Sequence, residues 1–251
     1  MFDIVDAAYR IDVPLEPWLI GLAEAALPHL DGGFGLSAFV YHRSEGEQPK
    51  ILARHRVGIP EGLGAIYETV FNTLDPQIRE RPFLLGPCIT GSQLMGSPEA
   101  LLQHPHMIRY AQRHGVFDSV WITAAEPSGN GCGFHAGRAE IASVSAIERE
   151  RWERVAAHLA SAVRLRRRLS LGEVRTDESA AIFAPDGQLR DATGAAAEDA
   201  ARTALRVAVR ELERARGPLR AADPDRALAA WRALVKGTWS LIEHWSADGQ
   251  R

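Results

Sequence analysis

The chain has 251 residues, 46% hydrophobic and 24% charged, with a net charge of −3; these proportions fit one large or two modest folded domains and argue against extensive disorder and against global attraction to nucleic acid. No apolar run approaches the ~20 residues that span a bilayer, and the acidic start Met1–Asp6 lacks the positive charge of a secretory signal, which makes the cytoplasm the default location. Two cysteines, Cys88 and Cys132, are too few for a disulfide framework or a four-cysteine zinc site.

In chain order, Leu15, Trp18, Leu19, Leu22, Ala26 and Leu30 share one face of a helix that Gly32 and Gly33 end. Leu36–Tyr41 reads as a buried strand, and Ile51–Val57, roughly alternating apolar and basic residues, as its half-exposed hairpin partner. Leu63, Ile66, Val70 and Leu74 set a further helix. The Pro- and Gly-rich segment Asp75–Pro98 reads as irregular turns. A helix is predicted over Pro98–His114, with Leu101, Ile108 and Ala111 inward and Gly115 as its stop. Val116–Ala124 is a strong strand; Pro127–Gly133 reads as a turn and Phe134–Ile141 as a returning strand. Ser145 with Glu148 has the spacing of a capping box at the start of a long helix reaching Leu169.

The second half opens near Gly172. Ala180–Asp191 reads as a hairpin turning at Asp186-Gly187, followed by a helix over Ala195–Ala215 that Gly217-Pro218 closes. A short helix or turn surrounds Ala227. Trp231–Val235 and Trp239–Trp245 read as two strands, and Asp248-Gly249 as a second turn whose return strand is missing, which suggests a fragment of a longer protein.

Searching these elements for chemistry yields no P-loop, no Gly-x-Ser-x-Gly elbow and no His-Glu-x-x-His helix, so no catalytic residue, metal site or cofactor is assigned. Gly129–Gly137 superficially resembles a phosphate-cradling loop, but a strand rather than a helix follows it. Cys88, or the group His104, His106 and His114, would serve a small-molecule-modifying enzyme as the alternative reading; a buried structural cysteine and a helix entrance are the plainer ones. The basic run Arg164–Arg168 sits where cations complement a helix C-terminus, and no recognition helix accompanies it. Trp152, Val155, Leu159 and Leu169 form a seam that would pack on the chain's own sheet, dimerise or relay a signal.

The order helix, hairpin, helices, strand pair and long exit helix resembles a GAF-like sensor. Ala181–Leu189 and Trp231–Glu243 resemble a PAS-like module. Together with Asp3–Arg10 and Arg154–Leu169 they resemble LuxR-type bacterial transcriptional regulators with unusual sensory regions. The resemblance implies an α+β fold: a GAF-like antiparallel-sheet domain over residues 1–144, a connecting helix over 145–171 and an incomplete PAS-like module over 172–251. It implies a non-enzymatic sensory role, relayed to a promoter-binding helix-turn-helix domain absent from this chain, or a dimerisation scaffold. The expected partners are a small-molecule ligand and a second copy, with no membrane. No haem, bilin or cyclic-nucleotide signature is visible. Phe39, Tyr41, Trp121 and Phe134 on the strands, with Tyr67 and Phe71 on the covering helix, are the candidate pocket residues, though each also suits plain core.

Overall fold

The computed structural model describes residues 1–44, 47–108, 112–172, 180–231, 234–235 and 239–241. They form two compact units, Met1–Arg164 and Leu165–Arg251. The dividing line falls inside a 25-residue helix, Ala146–Ser170.

The first unit is α+β. Helices α1 (Phe2–Ala8) and α2 (Leu15–Leu30) precede strands β1 (Leu36–His42) and β2 (Lys50–Val57); then come α3 (Leu63–Thr73), α4 (Pro76–Leu84), β3 (Cys88–Thr90), α5 (Gly91–Met95), α6 (Pro98–Leu102), β4 (Asp118–Ala125), β5 (Asn130–Arg138) and α7 (Ala146–Ser170). The five strands make one antiparallel sheet in the order β2-β1-β5-β4-β3. This is the mixed helix and antiparallel-sheet class expected of a GAF-like module. The side-chain period of two divides the sheet. Leu36, Ala38, Ile122, Phe134 and Ala136 are buried on one face, and the Phe134 ring lies 6.5 Å from Trp152 of α7. Ser37, Phe39, Trp121 and His135 belong to the other face. Helix α2 runs against β1 and β2, anchored at its start by the Trp18 indole donating to the Ala8 carbonyl at 2.9 Å.

Three regions of the first unit depart from the sequence reading. Asp75–Pro98 is ordered into α4, β3 and α5. Its prolines and glycines punctuate short elements: Asp75 caps α4, with Pro76 in the first turn where its missing N–H is no loss. Thr90 and Gln93 form a reciprocal capping box at α5. The helix predicted over Pro98–His114 is broken after Leu102, helical backbone resumes at residues 105–108, and a separate 3-10 turn covers Gln112–His114; Ala111 lies outside the described residues. Gly131 and Gly133, read as turn residues, stand inside β5. The turn itself is Pro127–Gly129, closed by Gly129 N–H donating to the Glu126 carbonyl at 2.9 Å.

The capping box at α7 is formed: the Ser145 hydroxyl accepts from the Glu148 N–H at 3.2 Å, and the Glu148 carboxylate accepts from the Ser145 N–H at 2.9 Å.

In the second unit, β6 (Ala181–Phe183) and β7 (Leu189–Ala192) pair around Asp186-Gly187, where Gly187 takes a left-handed φ of +82°. Helices α8 (Asp199–Arg216), α9 (Pro218–Ala222) and α10 (Pro224–Ala230) follow, then a two-residue ladder of β8 (Leu234–Val235) with β9 (Trp239–Ser240). Leu205 and Ala208 of α8 pack with Phe183 and Trp239. Trp231, expected to open a strand, instead ends α10 under the Arg216 guanidinium, 4.7 Å from its ring. Among the described residues this unit holds two separate two-stranded ladders rather than one continuous sheet. The turn expected at Asp248-Gly249 lies outside the described residues. No helix among the described residues is long and apolar enough to cross a membrane.

Candidate ligand-binding cavity

The cavity of the first unit arises because α3 to α6 span the Ser37–Phe39–His135–Trp121 face of the sheet without filling it. Helix α3 presents Tyr67, Val70 and Phe71 on one stripe, and Leu74 at its C-cap joins them. Leu94 and Met95 of α5, Leu101 of α6, Met107 and Val116 close the remaining sides. The space between them is about 90 Å³. Since ~10–15 Å³ suffices for one water, this space has room for a compact organic molecule.

The floor is built by β5. Its cavity-side residues are Gly131, Gly133, His135 and Gly137, alternating with Cys132, Phe134 and Ala136. The glycines let rings lie on the strand. A Cβ at Gly137 would run into the Tyr67 hydroxyl, and one at Gly133 would stand 3.0 Å from the end of the Phe39 ring. His135 fills the one position with a side chain. Its imidazole is edge-on to Tyr67 at 4.7 Å and lies 4.4 Å from Trp121. Burial, aided by the positive charges of Arg54 and Arg138, pushes its pKa down to about 3, so it is neutral at physiological pH.

Polar atoms concentrate on one side. Arg54 of β2 stands opposite Phe39 in register and donates to Glu68 of α3 at 2.6 Å; burial lowers its pKa, while Glu68 pulls it back up. Arg56 also pairs with the same Glu68 oxygen. The Arg54 Nε and the Tyr67 hydroxyl oxygen are buried and have no hydrogen-bond partner among the described residues; nor has His104 Nδ1. Asp118, also in the lining, is occupied by three backbone N–H donors: Ser92 at 3.0 Å, Ser119 at 2.6 Å and Ala142 at 3.0 Å.

Of the six pocket residues expected from sequence, Phe39, Tyr67, Phe71 and Trp121 come together around this space. Tyr41 shares the face but lies beyond the lining, its ring 4.6 Å from Phe83 of α4 and its hydroxyl donating to the Ala124 carbonyl at 3.2 Å. Phe134 faces the opposite side, because the period of two assigns the cavity to its neighbour His135. Arg54 and His135 are the residues that sequence reasoning missed. The signal for His135 was the alternation Gly131, Gly133, His135, Gly137, a strand pattern that turn chemistry masked. Arg54 showed only as a polar position on an edge strand.

The α7 seam follows the own-sheet alternative in its first half. Trp152, Val155 and Leu159 are buried within the chain, so this part of the helix offers no open stripe to a second copy; Leu169 is half-buried. The residues of the enzyme alternative do not assemble a nucleophilic centre. Burial pushes the Cys88 thiol up to about 11, which holds it as the unreactive thiol. His104 and His106 lie 5.5 Å apart, ring to ring, His114 sits in the separate 3-10 turn, and no three potential ligands cluster for a metal among the described residues.

No family model matches the chain, and no curated protein does. Solved structures similar to it include the GAF3 domain of Slr1393 from Synechocystis sp. PCC6803 in its photoproduct state, at 11% identity and TM-score 0.42, over 64% of this chain and 98% of that one. Escherichia coli SdiA is similar at 16% identity and TM-score 0.42, over 67% and 68% of the two chains. The N-acylhomoserine lactone-dependent LuxR family transcription factor CepR2 of Burkholderia cenocepacia is similar at 18% identity and TM-score 0.42, over 68% and 94%. Likeness at this level does not bear on what this chain binds.

Proposed function

We propose that the first unit is a sensory module that takes a small molecule into the cavity between α3 to α6 and the sheet, and that α7 relays the bound state. The observation that carries this reading is the cavity itself: aromatic and aliphatic walls with a few convergent polar atoms, the usual make-up of a ligand pocket. Relay follows from continuity. Helix α7 begins in the sensory unit and continues into the second, so a shift between two states of the first would act on a helix that both units share.

The finer assignment is the sensory portion of a cytoplasmic LuxR-type regulator. In it, residues 172–251 act as a PAS-like module, promoter DNA is engaged by a helix-turn-helix domain not included in this sequence, and the second half of α7 supports a homodimer. Its support is the resemblance carried by Asp3–Arg10, Arg154–Leu169 and Ala181–Leu189.

Toluene, a compact apolar probe, tests the cavity. It should raise the thermal unfolding midpoint, as any ligand of the native state does, and Phe71→Trp, which fills the space, should abolish that rise. Backbone hydrogen exchange in α7 should change with toluene bound. Absence of any effect on unfolding from toluene and from its polar analogues benzamide and benzoate would sink the sensory reading; binding without a change in α7 exchange would sink the relay alone.

A further inference from the structure

The sensory reading leaves open what the cavity selects, and its polar side narrows the choice. Of the three unpartnered buried groups in the lining, Arg54 Nε and the Tyr67 hydroxyl can supply a proton to an acceptor, and His104 Nδ1 donates or accepts according to its tautomer. A buried donor without an acceptor is costly, so a ligand that satisfies it gains affinity from that group. The charge balance points the same way. Glu68 is shared by Arg54 and Arg56, and of these three only Arg54 lines the cavity. Asp118 is engaged by its three backbone donors, and His135 is neutral. A cationic ligand would face Arg54 with no free carboxylate to meet it.

The remaining walls set the shape. Phe71 and Phe39 flank Trp121 with ring centroids at 5.5 and 6.1 Å, a surface suited to one flat ring. The cavity's 90 Å³ is below the ~150 Å³ of an engineered cavity that accepts benzene. Met95 and Met107 in the lining are unbranched and able to adjust to one ring, but a fused polycycle exceeds that reserve.

Resting on the sensory reading, we propose that the cavity binds a monocyclic aromatic carboxylate. Its ring lies against Phe39, Phe71 and Trp121, and its carboxylate accepts hydrogen bonds from Arg54 and Tyr67.

Calorimetric titration of the intact chain with benzoate, benzamide and toluene tests this. Benzamide keeps the planar shape and removes the charge; toluene keeps only the ring. Benzoate should bind at one per chain and about tenfold or more tighter than benzamide, the margin of a charge-assisted hydrogen bond. Arg54→Gln should erase that preference while leaving toluene binding intact, which also reports that the variant is folded. Tyr67→Phe removes only the hydroxyl. It should weaken benzoate several-fold without lowering the unfolding midpoint of the free protein, because the lost group has no partner there; a structural hydroxyl would lower both. Benzamide or toluene binding as tightly as benzoate, or a benzoate preference that survives Arg54→Gln, overturns the carboxylate assignment and leaves the sensory reading standing. Failure of all three probes to bind overturns both.

Discussion

On the face of the sheet that carries Leu36, Ala38, Ile122, Phe134 and Ala136, every one of these side chains is apolar and at most 1% exposed. On the opposite face, Ser37, Phe39, His135 and Trp121 share their cover with a cavity and with Arg54. The strands are the same and only the parity differs. One parity is committed to close packing, which gives stability, and the other tolerates buried polar atoms and empty volume, both of which cost stability. Such local costs are typical of places where a protein meets a ligand. Truncating a large side chain should therefore have different consequences on the two faces. Phe134→Ala should destabilise the protein by ~3–5 kcal/mol in denaturant unfolding, through lost transfer energy and a new cavity. Phe71→Ala, at a half-buried residue beside existing space, should cost clearly less and should abolish toluene binding. Equal costs would break the comparison.

The next largest effect concerns pH. His135 titrates near 6.5 in an unfolded chain and near 3 in the folded one. Between those values the unfolded state holds the extra proton, so its share of stability is complete above pH 6.5 and is lost as pH falls toward 3. The loss should amount to a few kcal/mol across that window, and His135→Phe should flatten the stability profile there by up to one proton. A variant whose profile parallels the wild type would show that His135 is protonated as readily in the folded protein.

The two faces also differed in how far the sequence revealed them. Helix α2, strands β1 and β4 and the capping box at Ser145 were legible because each rests on local periodicity or a local hydrogen-bond pattern. Helices α4 and α5 were hidden by their own punctuation: Pro76, Pro82 and Gly91 read as breakers, whereas Asp75 and Thr90 use the same region to start short helices. At the cavity, Phe39, Tyr67, Phe71 and Trp121 could be named from their elements. Whether Tyr41 or Phe134 joined them depended on register and parity across three strands, which no single segment encodes. Arg54 was out of reach for the same reason, since its place beside Phe39 follows from the pairing of β1 with β2.

A smaller effect probes how the glycine floor carries the rings. Gly137→Ala should destabilise by ~1–3 kcal/mol through overpacking, since the new methyl meets the Tyr67 hydroxyl. In a Tyr67→Phe background the cost should shrink, because the group it strikes is gone. The non-additivity of the double-mutant cycle, measured by denaturant unfolding, isolates that contact. Additive costs would mean that the strain falls on Phe34 and Val116, the other side chains near that methyl position.

The smallest effect lies at the entrance to α7. Ser145→Ala removes the hydroxyl that accepts from the Glu148 N–H and should cost ~1 kcal/mol, as loss of an N-cap does. Ser145 is not part of the cavity lining, so affinity for a cavity probe should stay at its wild-type value even as the unfolding midpoint falls. If affinity falls in parallel, the start of α7 is coupled to the cavity. The relay would then run from the first turn of the helix rather than from its buried stripe at Trp152, Val155 and Leu159.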